Sequence, residues 1–268
     1  MHLSKHHGLG NDFLVTFHDT LPLDVSSRAV ALCDRRTGVG ADGLIVGLPA
    51  ADGAVEMRLL NSDGSPAELS GNGLRCFAQA VARQRAVTHL DLDVVTPAGV
   101  RHCVVRATED PAVMVATVEM GIVTPGPDPD VDDLLGTIGD LPVPVRRWET
   151  GEVGNPHIVL EVDDPDQVVL DRVGPEIASH FVRGINVHFA ARTDRGGIVL
   201  RHWERGAGIT AACGSGATVS AVIYRRWGDV DDKVVGHMPG GDAIVHTTPP
   251  VALTGPATHV ADIEVPDA

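Results

Sequence analysis

The stretch Ser70-Gly71-Asn72-Gly73 has a counterpart 143 positions later, Cys213-Gly214-Ser215-Gly216. Further matches follow in the same order at a shift of 143 or 144: Gly10-Asn11 with Gly154-Asn155, Gly40 with Gly184, and Arg58 and Leu60 with Arg201 and Trp203. Short strings that contain glycine recur by chance, so no single match is informative. The ordered set at a nearly constant offset predicts an internal duplication.

Each half reads as a mixture of short strands and helices. Strand-like segments occur at Ala54–Leu60, Asp91–Val95, Arg101–Val105 and Gly197–Trp203, and polar or Gly/Pro turns bound most of them. Helical patterns at Leu74–Arg85 and Ala217–Trp227 each follow one of the two G-x-G strings. The stretch TPGPDPDVDD, residues 124–133, has the composition of a linker. We therefore expect an α+β (mixed α/β) protein of two similar lobes, with a small-ligand site in the cleft between them.

Composition narrows the range of functions. The chain has 268 residues, 30 glycines, 18 prolines and a net charge of −15, which argues against nucleic acid or an anionic membrane as a partner. No apolar run approaches the ~18 residues that a membrane span needs, and residues 1–11 lack the apolar core of a secretion signal. The four cysteines are too scattered for a disulfide framework. We expect a reducing, cytoplasmic environment.

The two glycine-rich turns carry the chemistry. Free backbone N–H groups and the helix dipole favour an anion at a helix N-terminus, and they lower the pKa of a cysteine placed there. Cys213 occupies that position, so we expect a reactive thiol with a pKa shifted toward neutrality. The alternative is that Cys213 is a small buried residue, as free cysteines often are.

Six further strings, spread along the chain, form a recognisable set: KHHGLGNDF (Lys5–Phe13), RRTGVGADGLI (Arg35–Ile45), NSDGSPAELSGNGLRCFA (Asn61–Ala78), GNPH (Gly154–His157), RGINVHF (Arg183–Phe189) and WERGAGITAACGSGA (Trp203–Ala217). In these strings the chain resembles the diaminopimelate epimerase family from end to end.

The resemblance implies a fold of two pseudo-symmetric homologous lobes, each a curved sheet or barrel wrapped around a helix. The first lobe would comprise residues 1–117 and a C-terminal segment, about 256–268, that returns to it; the second would comprise residues 118–255. It also implies a homodimer that interconverts LL- and meso-2,6-diaminopimelate for lysine and peptidoglycan synthesis, without a cofactor or metal. In the family, one thiol from each lobe acts on each face of the substrate α-carbon.

The family's functional positions can be placed on this sequence. The catalytic positions fall on Cys213, Ser70, Glu204 and His157. The positions that bind substrate fall on Asn11, Asn61, Gly71, Asn72, Asn155, Asn186, Glu204, Arg205, Gly214 and Ser215. An arginine can form a bidentate pair with a distal carboxylate, and preorganised donors can hold the charge of a carbanion. Taken singly, each asparagine is better explained as a turn residue that satisfies its own backbone, and Glu204-Arg205 could be an ordinary surface ion pair.

The chain departs from the family at position 70, where a serine replaces the first catalytic cysteine. Cys76 lies inside the following helix and should point away from the turn, while Cys33 and Cys103 match no functional position. Three explanations stay open: a natural serine activated by a neighbour, an introduced Cys→Ser change, or a shift to another racemisation or a one-thiol elimination. A silenced amino-acid-binding protein is a further alternative.

Three other functions are less consistent with the sequence. Gly38 to Gly43 fits the dinucleotide pattern G-x-G-x-x-G, but a strand-like LIVGL follows it where a helix is required. A Cys-His hydrolase built on Cys213 and His157 would leave the duplication unexplained. His6-His7 has no partner at metal-ligand spacing and is expected to be a solvated pair.

Overall fold

The computed structural model describes residues 1–129 and 131–266, and the described chain divides into two compact units. The first unit contains Met1–Glu119 and the C-terminal segment from Thr254, and the second contains Met120–Leu253. Residues 267 and 268 of the segment expected to return, and residue 130 of the linker-like stretch, lie outside the described residues.

The first unit is built from strands that alternate with two helices. In chain order its elements are β1 (His2–Gly8), β2 (Asn11–Phe17), α1 (Val25–Cys33), β3 (Gly43–Pro49), β4 (Val55–Asn61), β5 (Pro66–Ala67), α2 (Gly71–Gln84), β6 (His89–Thr96), β7 (Gly99–Ala107), β8 (Val113–Gly121, the last two residues past the boundary) and most of β17 (Val251–Glu264).

Eight of these strands close into a barrel. The pairing runs β17–β1–β2–β3–β4–β6–β7–β8 and returns to β17, where the hydroxyls of Thr117 and Thr254 lie 2.8 Å apart. Helix α2 contacts strands around the barrel wall, and each residue from Gly71 to Ala82 is buried. The helix therefore runs through the barrel, and its N-terminus is fixed by the strands around it.

The second unit repeats this arrangement. Its elements are β9 (Thr124–Pro125), α3 (Val131–Gly139), β10 (Arg147–Glu152), β11 (Pro156–Glu161), α4 (Leu170–Ser179), β12 (Asn186–Arg192), β13 (Ile198–Glu204), β14 (Gly208–Ile209), α5 (Gly214–Trp227), β15 (Lys233–Met238) and β16 (Gly241–His246). The linker-like stretch thus contains β9 and the start of α3.

The two units share one order of strand pairings. In each, an antiparallel pair is followed by a parallel pair, an antiparallel pair with a short side strand, a second parallel pair and a final hairpin. The central helix, α2 or α5, is inserted at the same point of that order. Both units also bury an apolar core beside an outer helix, α1 or α4, on the sheet face away from the central helix.

The predicted fold class is confirmed, and so are the predicted strands and helices. Both central helices begin three residues before the predicted start, because the G-x-G strings form their first turns. The G-x-G-x-x-G segment is followed by strand β3, which removes the context that dinucleotide binding needs. Within the described residues, none of the helices combines the length and apolarity needed to cross a membrane.

Candidate active site

Ser70 is the N-cap of the buried helix in the first unit. Its backbone is extended, and its Oγ accepts a hydrogen bond from the Gly73 N–H at 3.0 Å. This is the capping geometry that satisfies one of the free donors of a helix start. The side chain is half-buried, so the hydroxyl stands at the edge of the barrel interior.

Two asparagines stand beside this helix start. Asn72 donates from Nδ2 to Oδ1 of Asn11 at 3.1 Å, and Asn11 in turn donates to Asp42 at 2.7 Å. Arg75, fully buried one turn further along α2, donates to Oδ1 of Asn72 at 2.7 Å. Both amides are therefore held in fixed orientations. Asn61, at the end of β4, donates to the Ser65 hydroxyl at 3.0 Å.

Cys213 caps the central helix of the second unit in the same way. Its Sγ accepts the Gly216 N–H at 3.4 Å and lies 3.7 Å from the Ser215 hydroxyl. Cys213 is only 3% exposed, which is much less than expected for a freely accessible nucleophile.

The carboxylate of Glu204 lies against this thiol and changes its acidity. Burial in the unit, together with the Glu204 carboxylate that the thiol hydrogen-bonds, raises the pKa of Cys213 well above its ordinary value. Thr210 donates its hydroxyl to the same carboxylate. The expectation of a pKa lowered toward neutrality is therefore wrong, because burial and a neighbouring negative charge outweigh the helix dipole.

His157 lies in β11 as part of a buried row of imidazoles. Its Nε2 bonds Oδ1 of Asn155 at 2.9 Å, and its Nδ1 lies 2.9 Å from Nε2 of His188 in β12. The ring of His202 in β13 lies next to that of His188, with the ring centroids 5.7 Å apart. Burial lowers the pKa of His157 to about 3, so its ring is neutral at physiological pH.

Asn186 and Arg205 are linked through the backbone. Asn186 is buried, donates to the Pro156 carbonyl at 3.1 Å and accepts the Arg205 N–H at 2.9 Å. The guanidinium of Arg205 is exposed and donates to the Arg183 carbonyl at 2.8 Å. Glu204 and Arg205 thus point to different partners, so they are not a simple surface ion pair.

The sequence comparisons agree with this geometry. The sequence model described as diaminopimelate epimerase matches residues 3–124 and 150–260. The chain belongs to the diaminopimelate epimerase family. It is 41% identical to the diaminopimelate epimerase of Methanothermobacter thermautotrophicus over 89% of this chain and 87% of that protein. It is 40% identical to that of Rhizorhabdus wittichii over 97% of this chain and 93% of that protein.

Solved structures share the fold of this diaminopimelate epimerase family member at low sequence identity. A phenazine biosynthesis protein of Bacillus anthracis matches with a TM-score of 0.72 at 16% identity, covering 100% of both chains. A hydroxyproline epimerase of Agrobacterium vitis matches with a TM-score of 0.67 at 15% identity, covering 99% of this chain and 90% of that one. At these identities the likeness establishes the fold.

The structure groups the family positions unit by unit. Around α2 it brings together Asn11, Asn72 and, one residue before the helix, Ser70. Around α5 it brings Cys213 together with Glu204, and His157 with Asn155. Asn61 is held separately, by its bond to the Ser65 hydroxyl in the turn after β4.

The sequence analysis did not identify two histidines that lie near these positions. His188 and His202 complete the imidazole row, although the string RGINVHF already contained His188. The signal available was strand alternation, since His188 lies two residues after Asn186 on the same face of β12.

One prediction at the N-terminus is wrong. His6, expected to be solvated with His7, is fully buried, because alternation along β1 turns it toward α2. Its Nδ1 bonds Gln79 at 2.8 Å, and burial lowers its pKa to about 4. Cys76, Cys33 and Cys103 are buried free thiols, as predicted for structural cysteines.

Proposed function

We propose that this protein interconverts LL- and meso-2,6-diaminopimelate by moving the α-proton, without a cofactor. The observation that carries the proposal is the Cys213 thiol at the start of α5, hydrogen-bonded to Gly216 and Glu204, in a chain 41% identical to a named diaminopimelate epimerase. A thiol in that position can exchange a proton with carbon while the helix start holds an adjacent anion.

Cys213 acts first as an acid. Its raised pKa keeps the proton on sulfur at neutral pH, so the resting thiol donates that proton to the α-carbanion of a bound substrate. The thiolate that forms is stabilised by the Gly216 N–H and the Ser215 hydroxyl. In the reverse direction the thiolate removes the α-proton.

The helix starts hold the substrate carboxylate. The first N–H groups of α5, at Gly214 and Ser215, have no partner within the helix and carry the positive end of its dipole. Gly71 and Asn72 offer the same groups at the start of α2. Such preorganised donors stabilise the charge that spreads onto the carboxylate when the α-proton leaves.

Ser70 transfers the proton on the face of the α-carbon opposite to Cys213. The remaining family positions bind the distal end of the substrate. The exposed guanidinium of Arg205 pairs with the distal carboxylate, while Asn61, Asn155 and Asn186 bind the distal amine and carboxylate. The Ser70 alkoxide, formed when the hydroxyl loses its proton to solvent, removes the α-proton in one direction, and the Ser70 hydroxyl donates a proton in the other. Because a hydroxyl loses its proton far less readily than a thiol, the step at Ser70 limits turnover.

A Cys-His hydrolase is disfavoured by the acidities of the two groups. Such an enzyme needs a thiolate beside an imidazolium. Here the pKa of Cys213 is raised well above its ordinary value and that of His157 is lowered to about 3, so both groups are neutral.

Proton NMR of LL- and meso-diaminopimelate, each incubated with the protein in D2O, tests the proposal. We expect the α-proton signal to fade from both isomers while they interconvert. Exchange from one isomer without inversion would indicate a one-sided reaction at Cys213. No exchange from either isomer would overturn the proposal. It would favour a non-catalytic amino-acid-binding protein or an enzyme that acts on another amino acid. Cys213→Ala is the matched control and should abolish exchange.

We further propose that the enzyme is a cytoplasmic homodimer that serves lysine and peptidoglycan precursor synthesis. Light scattering on the protein as it elutes from a size-exclusion column should give twice the mass of the 28.1 kDa chain. Exchange should persist after exhaustive dialysis against a chelator and after treatment with hydroxylamine, which removes carbonyl cofactors such as pyridoxal phosphate.

A further inference from the structure

Three histidines stand side by side on the buried face of adjacent strands in the second unit. His157, His188 and His202 lie on β11, β12 and β13, with ring centroids 5.0 Å and 5.7 Å apart along the row. Each is at most 1% exposed. Buried polar groups normally have hydrogen-bond partners, so the partners of each ring nitrogen can be traced.

The hydrogen bonds at one end of the row fix the tautomers of two rings. Oδ1 of Asn155 is an acceptor, so the proton lies on Nε2 of His157, 2.9 Å away. The Nδ1 of neutral His157 must then accept from Nε2 of His188, at 2.9 Å. This leaves Nδ1 of His188 as an unprotonated acceptor.

The hydrogen bonds at the other end lead to the same result. The Thr210 hydroxyl donates to Glu204, so it accepts from Nε2–H of His202 at 2.9 Å. The Nδ1 of His202 is therefore also an unprotonated acceptor. Within the described residues, both Nδ1 atoms are buried without a hydrogen-bond partner. Two such acceptors in the interior are costly to the fold.

The fold itself does not require polar groups at these positions. By strand register, His157 corresponds to Phe13 of the first unit, and His188 and His202 correspond to the paired residues Ile45 and Leu59. Those three side chains are buried and apolar. The histidines are therefore a feature of the second unit alone.

Cys213 adds a sulfur donor to this row. One donor atom each from His157, His188 and Cys213 lies within 4.8 Å of the others, and all three residues are buried. The edge of the His188 ring that carries both nitrogens faces the first turn of α5, where a Cβ on Gly216 would lie 1.9 Å from Cε1. The glycine is what lets the imidazole reach the helix start.

We propose that Cys213, His157 and His188 form a binding site for a borderline-soft divalent cation of the Zn²⁺ class. One thiolate and two imidazoles are a ligand set that such ions favour, with a fourth position left for water. The cation would take the place of the single proton between Nδ1 of His157 and Nε2 of His188. At Zn–N bonds of about 2.1 Å the two nitrogens need to separate to about 3.4 Å.

Metal binding fixes the tautomers of both ligating rings. When Nε2 of His188 binds the cation, its proton moves to Nδ1 of the same ring. His157 keeps its Nε2–H bond to Asn155. A second nitrogen that donates its N–H to an acceptor, as in His157, is the usual outer arrangement of a metal-bound histidine. The thiol proton leaves to solvent as the metal–sulfur bond forms, and nothing is oxidised or reduced.

Occupancy would block the proposed reaction, since the cation holds the sulfur lone pair that a proton transfer needs. The site is nevertheless tested independently of catalysis, by spectroscopy. We would titrate the reduced, chelator-treated protein with Co²⁺ without oxygen. We expect one equivalent to give a thiolate-to-metal band in the near ultraviolet and intense visible bands of a four-coordinate ion, both removed by one equivalent of Zn²⁺.

Four variants locate the site. Cys213→Ala should lose the thiolate band, and His188→Ile, which introduces the residue of the first unit, should lose the four-coordinate spectrum. His202→Leu should keep the spectrum, because His202 is not one of the three ligands. His237→Asn, at a side chain that is 40% exposed and is not one of the ligands, is the control and should leave the spectrum unchanged.

Two results would overturn the proposal: no thiolate band in the wild-type protein, or an unchanged spectrum in His188→Ile. If that variant does not fold, X-ray absorption at the zinc edge of the wild-type complex decides instead. It should show one sulfur at about 2.3 Å and two imidazole nitrogens at about 2.0–2.1 Å. A shell of oxygen neighbours alone would rule the site out.

Discussion

At the scale of single residues, acidity in this protein is governed by burial more than by position on a helix. Cys213 sits where a helix dipole should favour the thiolate, yet its pKa is raised by burial and by Glu204. The neighbour is nine residues away in sequence and arrives through the β13–β14 hairpin. The acid or base role of a thiol therefore depends on what packs against it.

Glu204→Gln should lower the pKa of Cys213, because the amide removes a negative charge that opposes the thiolate. We expect iodoacetamide to modify Cys213 faster in this variant than in the wild type at neutral pH. At high pH the modification rates of the two proteins should converge. Peptide mass spectrometry separates Cys213 from Cys76 and Cys103, whose burial raises their pKa to about 12 and slows their reaction. An unchanged rate would show that burial alone sets the acidity of Cys213.

Ser70→Cys should raise epimerisation by orders of magnitude, because a thiol is a much stronger acid and base than a hydroxyl. Rates of α-proton exchange in D2O, measured for each isomer, check this. The double variant with Cys213→Ala is the control and should exchange slowly. If Ser70→Cys brings no gain, another group already acts at that face.

At the scale of elements, the helix starts show what the sequence can and cannot predict. The duplicated G-x-G strings predicted both central helices, because N-cap and glycine signals are local. They could not predict that Glu204 and His188 would pack against α5, since that depends on strand register between distant segments. The prediction for His6 failed for the same reason, because its burial follows from a helix that begins more than sixty residues later.

Gly216→Ala should destabilise the second unit by about 1–3 kcal/mol, because the new methyl group would meet the buried ring of His188. Gly73→Ala, at the matching position of α2, is the control. Its Cβ would lie 3.2 Å from Ser70 Cβ, so we expect less than about 1 kcal/mol. Chemical unfolding of both variants gives the comparison, and equal losses would contradict the contact with His188.

At the scale of the whole molecule, two units with one pairing order differ in what they bury. The first has Phe13, Ile45 and Leu59 at positions where the second has three histidines. The duplication could be read from the sequence through glycines and asparagines at turns. The difference in buried residues could not be read from the sequence, because these residues lie within strands and carry no turn signal.

The buried histidines should make the protein sensitive to acid. Burial lowers the pKa of His157 to about 3 and that of His202 to about 4 from an ordinary 6.5. Because the unfolded chain binds these protons first, the stability that they contribute is complete above pH 6.5 and is lost as pH falls toward the folded values. Each fully buried histidine steepens the fall in the free energy of unfolding by up to about 1.4 kcal/mol per pH unit.

Denaturant unfolding at a series of pH values between about 7 and 4.5 measures this fall. We expect the free energy of unfolding of His202→Leu to fall less steeply with decreasing pH than that of the wild type. The difference in slope should equal the contribution of one histidine. Parallel curves for the wild type and His202→Leu would mean that His202 is not neutral in the folded protein.

Each central helix is capped by an atom to which the proposed reaction assigns a proton transfer. The Gly216 amide donates to Sγ of Cys213 and the Gly73 amide to Oγ of Ser70. Because a thiolate accepts more strongly than a thiol, each proton that leaves or reaches the sulfur tightens or relaxes the first turn of α5. The nitrogen resonance of Gly216 therefore reports each change of protonation at the Cys213 sulfur, and that of Gly73 reports the same for the Ser70 oxygen.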